Sequence, residues 1–132
     1  METHASRSRS KGVAVQGGKV LLLRNERDEW ELPGGKLEVG EDPADCVVRE
    51  ITEESGWQVT AGPFLGCWQY AIGEGSHVVI VTYGCHVQST NPPVVSHEHK
   101  QAGLFAPDAV LGLVMPDGYK RSIATWFSRL DS

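Results

Sequence analysis

Residues Gly35 to Trp57 read GKLEVGEDPADCVVREITEESGW. The later part of this run has the marks of a helix over Pro43 to Ser55. Asp42 suits the N-cap, Pro43 suits the first helical position, and Gly56 suits the residue just past the end. Ala44, Val47, Val48, Ile51 and Ser55 recur at helical spacing, which at roughly 100° per residue makes one narrow stripe to bury. Glu50, Glu53 and Glu54 project to another side, with Arg49 at their edge. For carboxylates about 6 Å apart the repulsion is roughly 0.7 kcal/mol per pair in water and about 3 at an effective dielectric of 20. Partial burial would make such a face costly. A divalent cation removes the cost, because carboxylates, a backbone carbonyl and water are the hard oxygen ligands that Mg²⁺ prefers.

Taken alone, this face reads as an ordinary solvated helix surface with Arg49 and Glu53 as an i, i+4 pair. The wider spacing overturns that reading. Gly35, Glu41, Arg49, Glu50, Ile51, Glu53, Glu54 and Gly56 fall at positions whose joint chance occurrence is on the order of one in ten million.

Working outward, Gly12 to Gln16 and Lys19 to Arg24 are β-rich runs joined by Gly17 and Gly18, a pair suited to a tight hairpin. Asn25 to Glu29 are loop-like, and Trp30 to Leu32 make a short strand that Pro33, Gly34 and Gly35 break as a glycine-rich turn. After the helix, Phe64 to Ile72 and His77 to Val87 read as strands joined by Gly73 to Ser76. Ser89 to Lys100 form a polar loop, long enough in so small a domain to be functional. Gln101 to Phe105 return to the sheet, and Pro107 to Leu111 form a short helix ended by Gly112. A last helix runs from Asp117, with Tyr119, Ile123, Trp126, Phe127 and Leu130 on one face.

The 132 residues, 40% apolar and 22% charged, suit one soluble domain with a single core. Met1 to Lys11 is polar and lacks an apolar stretch for a signal peptide, so residues 1–11 read as a disordered tail and 12–132 as the domain. The aliphatic runs Val20 to Leu23 and Val78 to Val81 are strand-sized, far short of a membrane span. Cys46, Cys67 and Cys85 are scattered and odd in number, which suits a reducing cytoplasm. A formal charge of −5 argues against broad nucleic-acid binding, which needs a basic face. Phosphorylated small molecules stay open, since cations can bridge an acidic site and a polyphosphate.

The run from Gly35 to Trp57 resembles the Nudix box, the signature of a family that hydrolyses nucleoside diphosphates linked to another moiety. Trp57 is the one departure, at a position usually aliphatic that packs rather than reacts. The resemblance implies an α/β fold, an α/β/α sandwich around a mixed sheet. It implies that Glu50, Glu53 and Glu54 coordinate Mg²⁺, with Mn²⁺ as a substitute, and that the Gly34 carbonyl is a further ligand. Arg49 would orient a glutamate through a charge-assisted pair. Glu41 would act through hydrogen bonds near the site, and Glu98 would bind metal or serve as general base. Either Glu50 or Glu98 accepts the proton of the attacking water.

Other residues carry a plainer reading. His97 and His99 flank Glu98, but an HxH pair without further ligands is weak as a metal site. His77 and His86 read as packed or surface histidines, and Cys46 has no neighbouring base to make it a nucleophile. Trp68, Tyr70, Trp30 and Phe105 either fill the core or stack on a base, while Arg24 and Arg27 are phosphate contacts or ordinary loop charges. The substrate expected is a nucleoside triphosphate, split as by a pyrophosphohydrolase. ADP-ribose or a nucleotide sugar is the alternative within enzymes, and a non-catalytic nucleotide-sensing module the alternative outside them. The oligomeric state stays open, a homodimer included.

Overall fold

The computed structural model describes residues 8–71, 75–94, 99 and 101–131. Strands β1 (Ser8–Gln16), β2 (Lys19–Arg24), β3 (Trp30–Glu31) and β4 (Gly34–Lys36) precede helix α1 (Pro43–Ser55). Strands β5 (Val59–Ala71), β6 (His77–Val87) and β7 (Gln101–Phe105) follow, then helices α2 (Pro107–Val110) and α3 (Asp117–Leu130). The seven strands form one sheet with the path β3-β2-β1-β6-β5, β4 pairing with β1 and β7 with β2. β1 runs parallel to β6, and the other pairings are antiparallel, so the sheet is mixed.

Alternation along the central strands builds two cores. Val13, Val20 and Leu22 face one side, where Tyr119, Ile123 and Trp126 of α3 cover them. Ala14, Leu21 and Leu23 face the other, against Val47 and Ile51 of α1 and the buried Trp57. Period two in the strands and 3.6 in the helices therefore meet on both faces of one sheet. The result is the expected α/β/α sandwich.

α1 keeps its expected bounds: Asp42 is extended at the N-cap and Gly56 is left-handed at φ 75°. Val47, Ile51 and Ser55 form its buried line, with Ala44 and Val48 half-buried at the edges. The Gly17–Gly18 hairpin is present too, Gln16 pairing directly with Lys19.

Several expectations are corrected. β1 starts at Ser8, so four residues assigned to the tail lie in the sheet, all paired to β6 and Arg9 to Lys11 also to β4. Ser10 is fully buried and its hydroxyl donates to the Pro43 carbonyl, while Arg9 and Lys11 face the opposite way. The glycine-rich turn is instead strand β4, because Gly34 to Lys36 pair with Lys11 to Arg9. Gly34 has φ 138°, and a Cβ there would collide with the backbone oxygen of Ser10. β5 begins at Val59, five residues before the expected start, and α2 ends at Val110. Leu130, expected on the apolar face of α3, is exposed. The expected tail up to Arg7, Ile72 and part of the connection after it, and Glu98 and His97 lie outside the described residues.

Candidate metal and phosphate site

A cleft of about 450 Å³ opens beside the N-terminal half of β1, bounded by β3, β4 and the C-terminal half of α1. The helix delivers its three glutamates to different depths. Glu50 and Glu54 are one turn apart and both line the cleft. Glu53 lies off that line, with its side chain 59% exposed, so it sits on the outer edge rather than in the cleft.

Glu54 is the deepest of the three. Its side chain is 7% exposed, and the Gly34 N–H donates to its Oε1 at 2.8 Å. Burial pushes its carboxyl up to about 7, against the opposing pull of the Lys11 ammonium, the Gly34 N–H and His99. Glu50 lies against β4: a Cβ on Gly35 would stand 2.6 Å from Glu50 Oε1. Its other oxygen accepts from Arg49 Nη1 at 2.9 Å.

Arg49 ties the acidic surface together. Its Nε and Nη2 reach both oxygens of Glu41 at 2.8 and 3.0 Å, and Nη1 also reaches Glu53 Oε1 at 3.3 Å. The bidentate bond from Arg49 and the Glu38 N–H hold the Glu41 carboxyl down at about 2. Glu41 thus fixes Arg49, and Arg49 fixes Glu50.

Four further residues shape the cleft, and of these only His99 has a reading in the sequence, as half of a weak HxH pair. Lys11 is buried and donates from Nζ to the Gly34 carbonyl at 3.4 Å. Burial works against its charge, yet Tyr119, Glu31 and Glu54 more than offset it and raise the amine above its ordinary value. Glu31 accepts from Asn25 Nδ2 at 3.2 Å and lies 3.2 Å from His99 Nε2. Burial again opposes ionisation, but Lys11 and the bonds from His99 and Asn25 outweigh it and hold the carboxyl at about 2. His99 also lies 3.9 Å from Glu54 Oε2, and its bond to Glu31 raises its pKa. Arg9 is the fourth, on the same strand face as Lys11. The alternation of charges at 9 and 11 around a small residue at 10 was the available signal for Arg9 and Lys11. Nothing local marks Glu31, and the HxH pattern marks His99 only as a weak metal ligand.

The loop that brings His99 in is stitched to the end of α1. Trp57 Nε1 donates to the Asn91 carbonyl at 2.9 Å, and the Val94 N–H donates to the Ser55 carbonyl at 2.9 Å. The tryptophan that departs from the family pattern therefore packs and anchors the loop. The other candidates fall elsewhere. Trp68 packs edge-on to Tyr119 at 5.1 Å and Trp30 to Phe105 at 4.8 Å, all against the α3-side core. Arg24 pairs with Asp28 at 3.6 Å, while Arg27 reaches the cleft rim. His77 and His86 are exposed, and burial pushes the Cys46 thiol up to about 11, which suits no nucleophile.

The donors fit a hard divalent cation in kind: two carboxylates and a backbone carbonyl around one cleft. Among the described residues no three His, Cys, Asp or Glu side chains converge tightly enough to hold an ion as they stand. Arg49 engages Glu50 and Glu53, and Lys11 engages the Gly34 carbonyl.

A NUDIX domain family model matches residues 7–127. The chain belongs to the Nudix hydrolase family. It is 30% identical over 104 residues to the CTP pyrophosphohydrolase of Escherichia coli, the match covering 75% of each protein. It is 42% identical over 62 residues to the uncharacterized Nudix hydrolase YvcI of Bacillus subtilis, covering 46% of this chain but only 39% of YvcI. A NUDIX hydrolase structure from Nitrosomonas europaea superposes with a TM-score of 0.78 at 20% identity, over 94% of this chain and 90% of that one. Nudix hydrolases generally use divalent metal ions, in keeping with the oxygen donors of this cleft. No helix among the described residues of this Nudix domain is long and apolar enough to cross a membrane.

Proposed function

We propose that this Nudix domain hydrolyses a phosphoanhydride bond in a nucleoside diphosphate linked to a further group, using Mg²⁺ with Mn²⁺ as a substitute. Its substrate is a nucleoside triphosphate, split into a monophosphate and pyrophosphate. One observation carries this reading: a single cleft sets Glu50 and Glu54 on the Gly34–Gly35 backbone and places Arg9 and Lys11 beside them. Such a cleft can take a polyphosphate between bound cations and its own basic side chains. The triphosphate subclass is supported by the similarity to a CTP pyrophosphohydrolase over three quarters of both chains.

Glu50, Glu54 and the Gly34 carbonyl would hold the metal, with Glu53 contributing from the outer edge and Glu98 from the loop. When bound, it neutralises phosphate charge and acidifies a water. The remaining work falls to the chain. Arg49 holds Glu50 Oε2, leaving Oε1 to accept the water's proton. Glu41 keeps Arg49 in that position through two bonds. Lys11 and Arg9 supply positive charge to the phosphates. Glu98 is the alternative base, in a segment outside the described residues.

The test is a product-resolved screen of triphosphates, ADP-ribose and nucleotide sugars with Mg²⁺ and with EDTA. Monophosphate plus pyrophosphate from a triphosphate, only with Mg²⁺, is expected. Two monophosphates from ADP-ribose or a sugar phosphate from a nucleotide sugar would reassign the substrate. Nucleotide-induced stabilisation without any product would make the domain a sensor and refute hydrolysis.

A further inference from the structure

β1 presents two cations to the cleft from one face, two residues apart. Their surroundings differ. Lys11 donates to the Gly34 carbonyl and lies among Glu31 and Glu54, so its charge is answered within the fold. Arg9 is not answered. Its Nη1 is buried and has no hydrogen-bond partner among the described residues. Glu31, the carboxylate whose field reaches it, is already engaged by Asn25 and His99.

Buried donors are nearly always paired, so an orphaned guanidinium nitrogen in a cleft calls for an acceptor from outside the chain. Arg24 also has an orphaned Nε, but it keeps an ion pair with Asp28 and does not line the cleft. The nature of the acceptor follows from the lining. Lys11, Arg27 and Lys36 bring positive charge to the lining beside Arg9, alongside the carboxylates of Glu26, Glu31, Glu50 and Glu54, and among the described residues no aromatic side chain lines the cleft to stack on a base. That combination suits phosphate, whose oxygens match the planar fork of a guanidinium.

We propose that Arg9 is a phosphate clamp: its guanidinium binds a phosphate oxygen of the substrate directly, with no metal between them, beside the carboxylates Glu50 and Glu54. This deepens the proposed function and rests on it only in taking the ligand to be a diphosphate or longer.

The experiment compares the wild-type chain with Arg9→Gln, Arg9→Lys and, as a control for net charge, Lys19→Gln on the exposed hairpin. Binding of inorganic pyrophosphate is measured by calorimetry in EDTA, where no metal contributes. Arg9→Gln is expected to weaken binding about tenfold to a hundredfold, Arg9→Lys to recover part of the loss, and Lys19→Gln to stay within about twofold. With Mg²⁺ and substrate, Arg9→Gln should raise KM by a similar factor while kcat stays within about threefold. The same variant should melt no lower than wild type, because it gives up no bond within the fold. A structural arginine would show the reverse, a lower melting temperature with unchanged pyrophosphate affinity, and that result overturns the clamp. Absence of pyrophosphate binding by the wild-type chain in EDTA overturns it as well, while leaving Mg²⁺-dependent hydrolysis standing. Weakened binding by Arg9→Gln in a chain that hydrolyses nothing would keep the clamp and remove the hydrolase.

Discussion

The backbone N–H of Gly34 donates a 2.8 Å hydrogen bond to Oε1 of Glu54, twenty residues further along the chain. That bond joins β4 to α1 at the floor of the cleft, and the carbonyl of the same glycine accepts from Lys11 on β1. Three elements meet on one residue without a Cβ.

The two neighbouring glycines should therefore fail differently. A Cβ on Gly34 would strike the Ser10 backbone, and φ 138° disfavours any L side chain, so Gly34→Ala should cost more than about 3 kcal/mol and leave little folded protein. The three atoms nearest a Cβ on Gly35 all belong to the carboxylate of Glu50, Oε1 at 2.6 Å, and that flexible end can swing away. Gly35→Ala should fold, melt close to wild type and lose about a hundredfold or more in kcat. Thermal melts beside steady-state rates separate the two.

Glu54 makes the metal-free protein sensitive to pH. Its folded pKa of about 7 stands above the unfolded value, so its contribution is fully present below pH 4.5 and is lost as pH rises through about 7. The loss amounts to roughly 3 kcal/mol. His99, also raised, is lost in the same direction, as pH climbs through its folded pKa. In EDTA the melting temperature should fall as pH rises from about 4.5 to about 7, and Glu54→Gln should flatten that fall. Equal slopes for wild type and variant would contradict the assignment.

Lys11 is the chain's own cation in an acidic pocket. Lys11→Met should leave Glu31 and Glu54 less compensated and destabilise the metal-free protein by about 3 kcal/mol. Adding Mg²⁺ should return part of that loss. A denaturant titration in EDTA and in Mg²⁺ measures both.

Arg49 holds Glu50 in place and is itself held by Glu41 through two bonds. A lysine keeps the charge but cannot make the fork. Arg49→Lys should lower kcat about tenfold to a hundredfold with an unchanged circular dichroism spectrum, and KM should move little.

Much of this architecture is legible in the sequence where local rules suffice. α1 is marked by Asp42, Pro43 and Gly56, and the first hairpin by its two glycines, because caps and tight turns depend on neighbouring residues alone. β4 is hidden because Gly34 and Gly35 carry no strand propensity and are held by pairing with β1. Arg9 and Lys11 look like tail because the strand face they occupy lines a polar cleft, where no apolar alternation appears. The helical wheel puts Glu50, Glu53 and Glu54 on one side away from the buried stripe, whereas Glu54 is buried beside Ile51 and Ser55. It does not reveal that the sheet edge buries Glu54 and leaves Glu53 outside. Glu31 and His99 come together across 68 residues of chain, a meeting that only the fold makes.

Mg²⁺-dependent turnover of Glu54→Gln beside wild type decides whether this cleft uses a metal ion to expose a phosphoanhydride to water. The variant should fold, and its rate should fall by about a thousandfold or more, on the order of removing a key charged group from a catalytic site. Turnover within a few fold of wild type, with the same dependence on Mg²⁺, would contradict it.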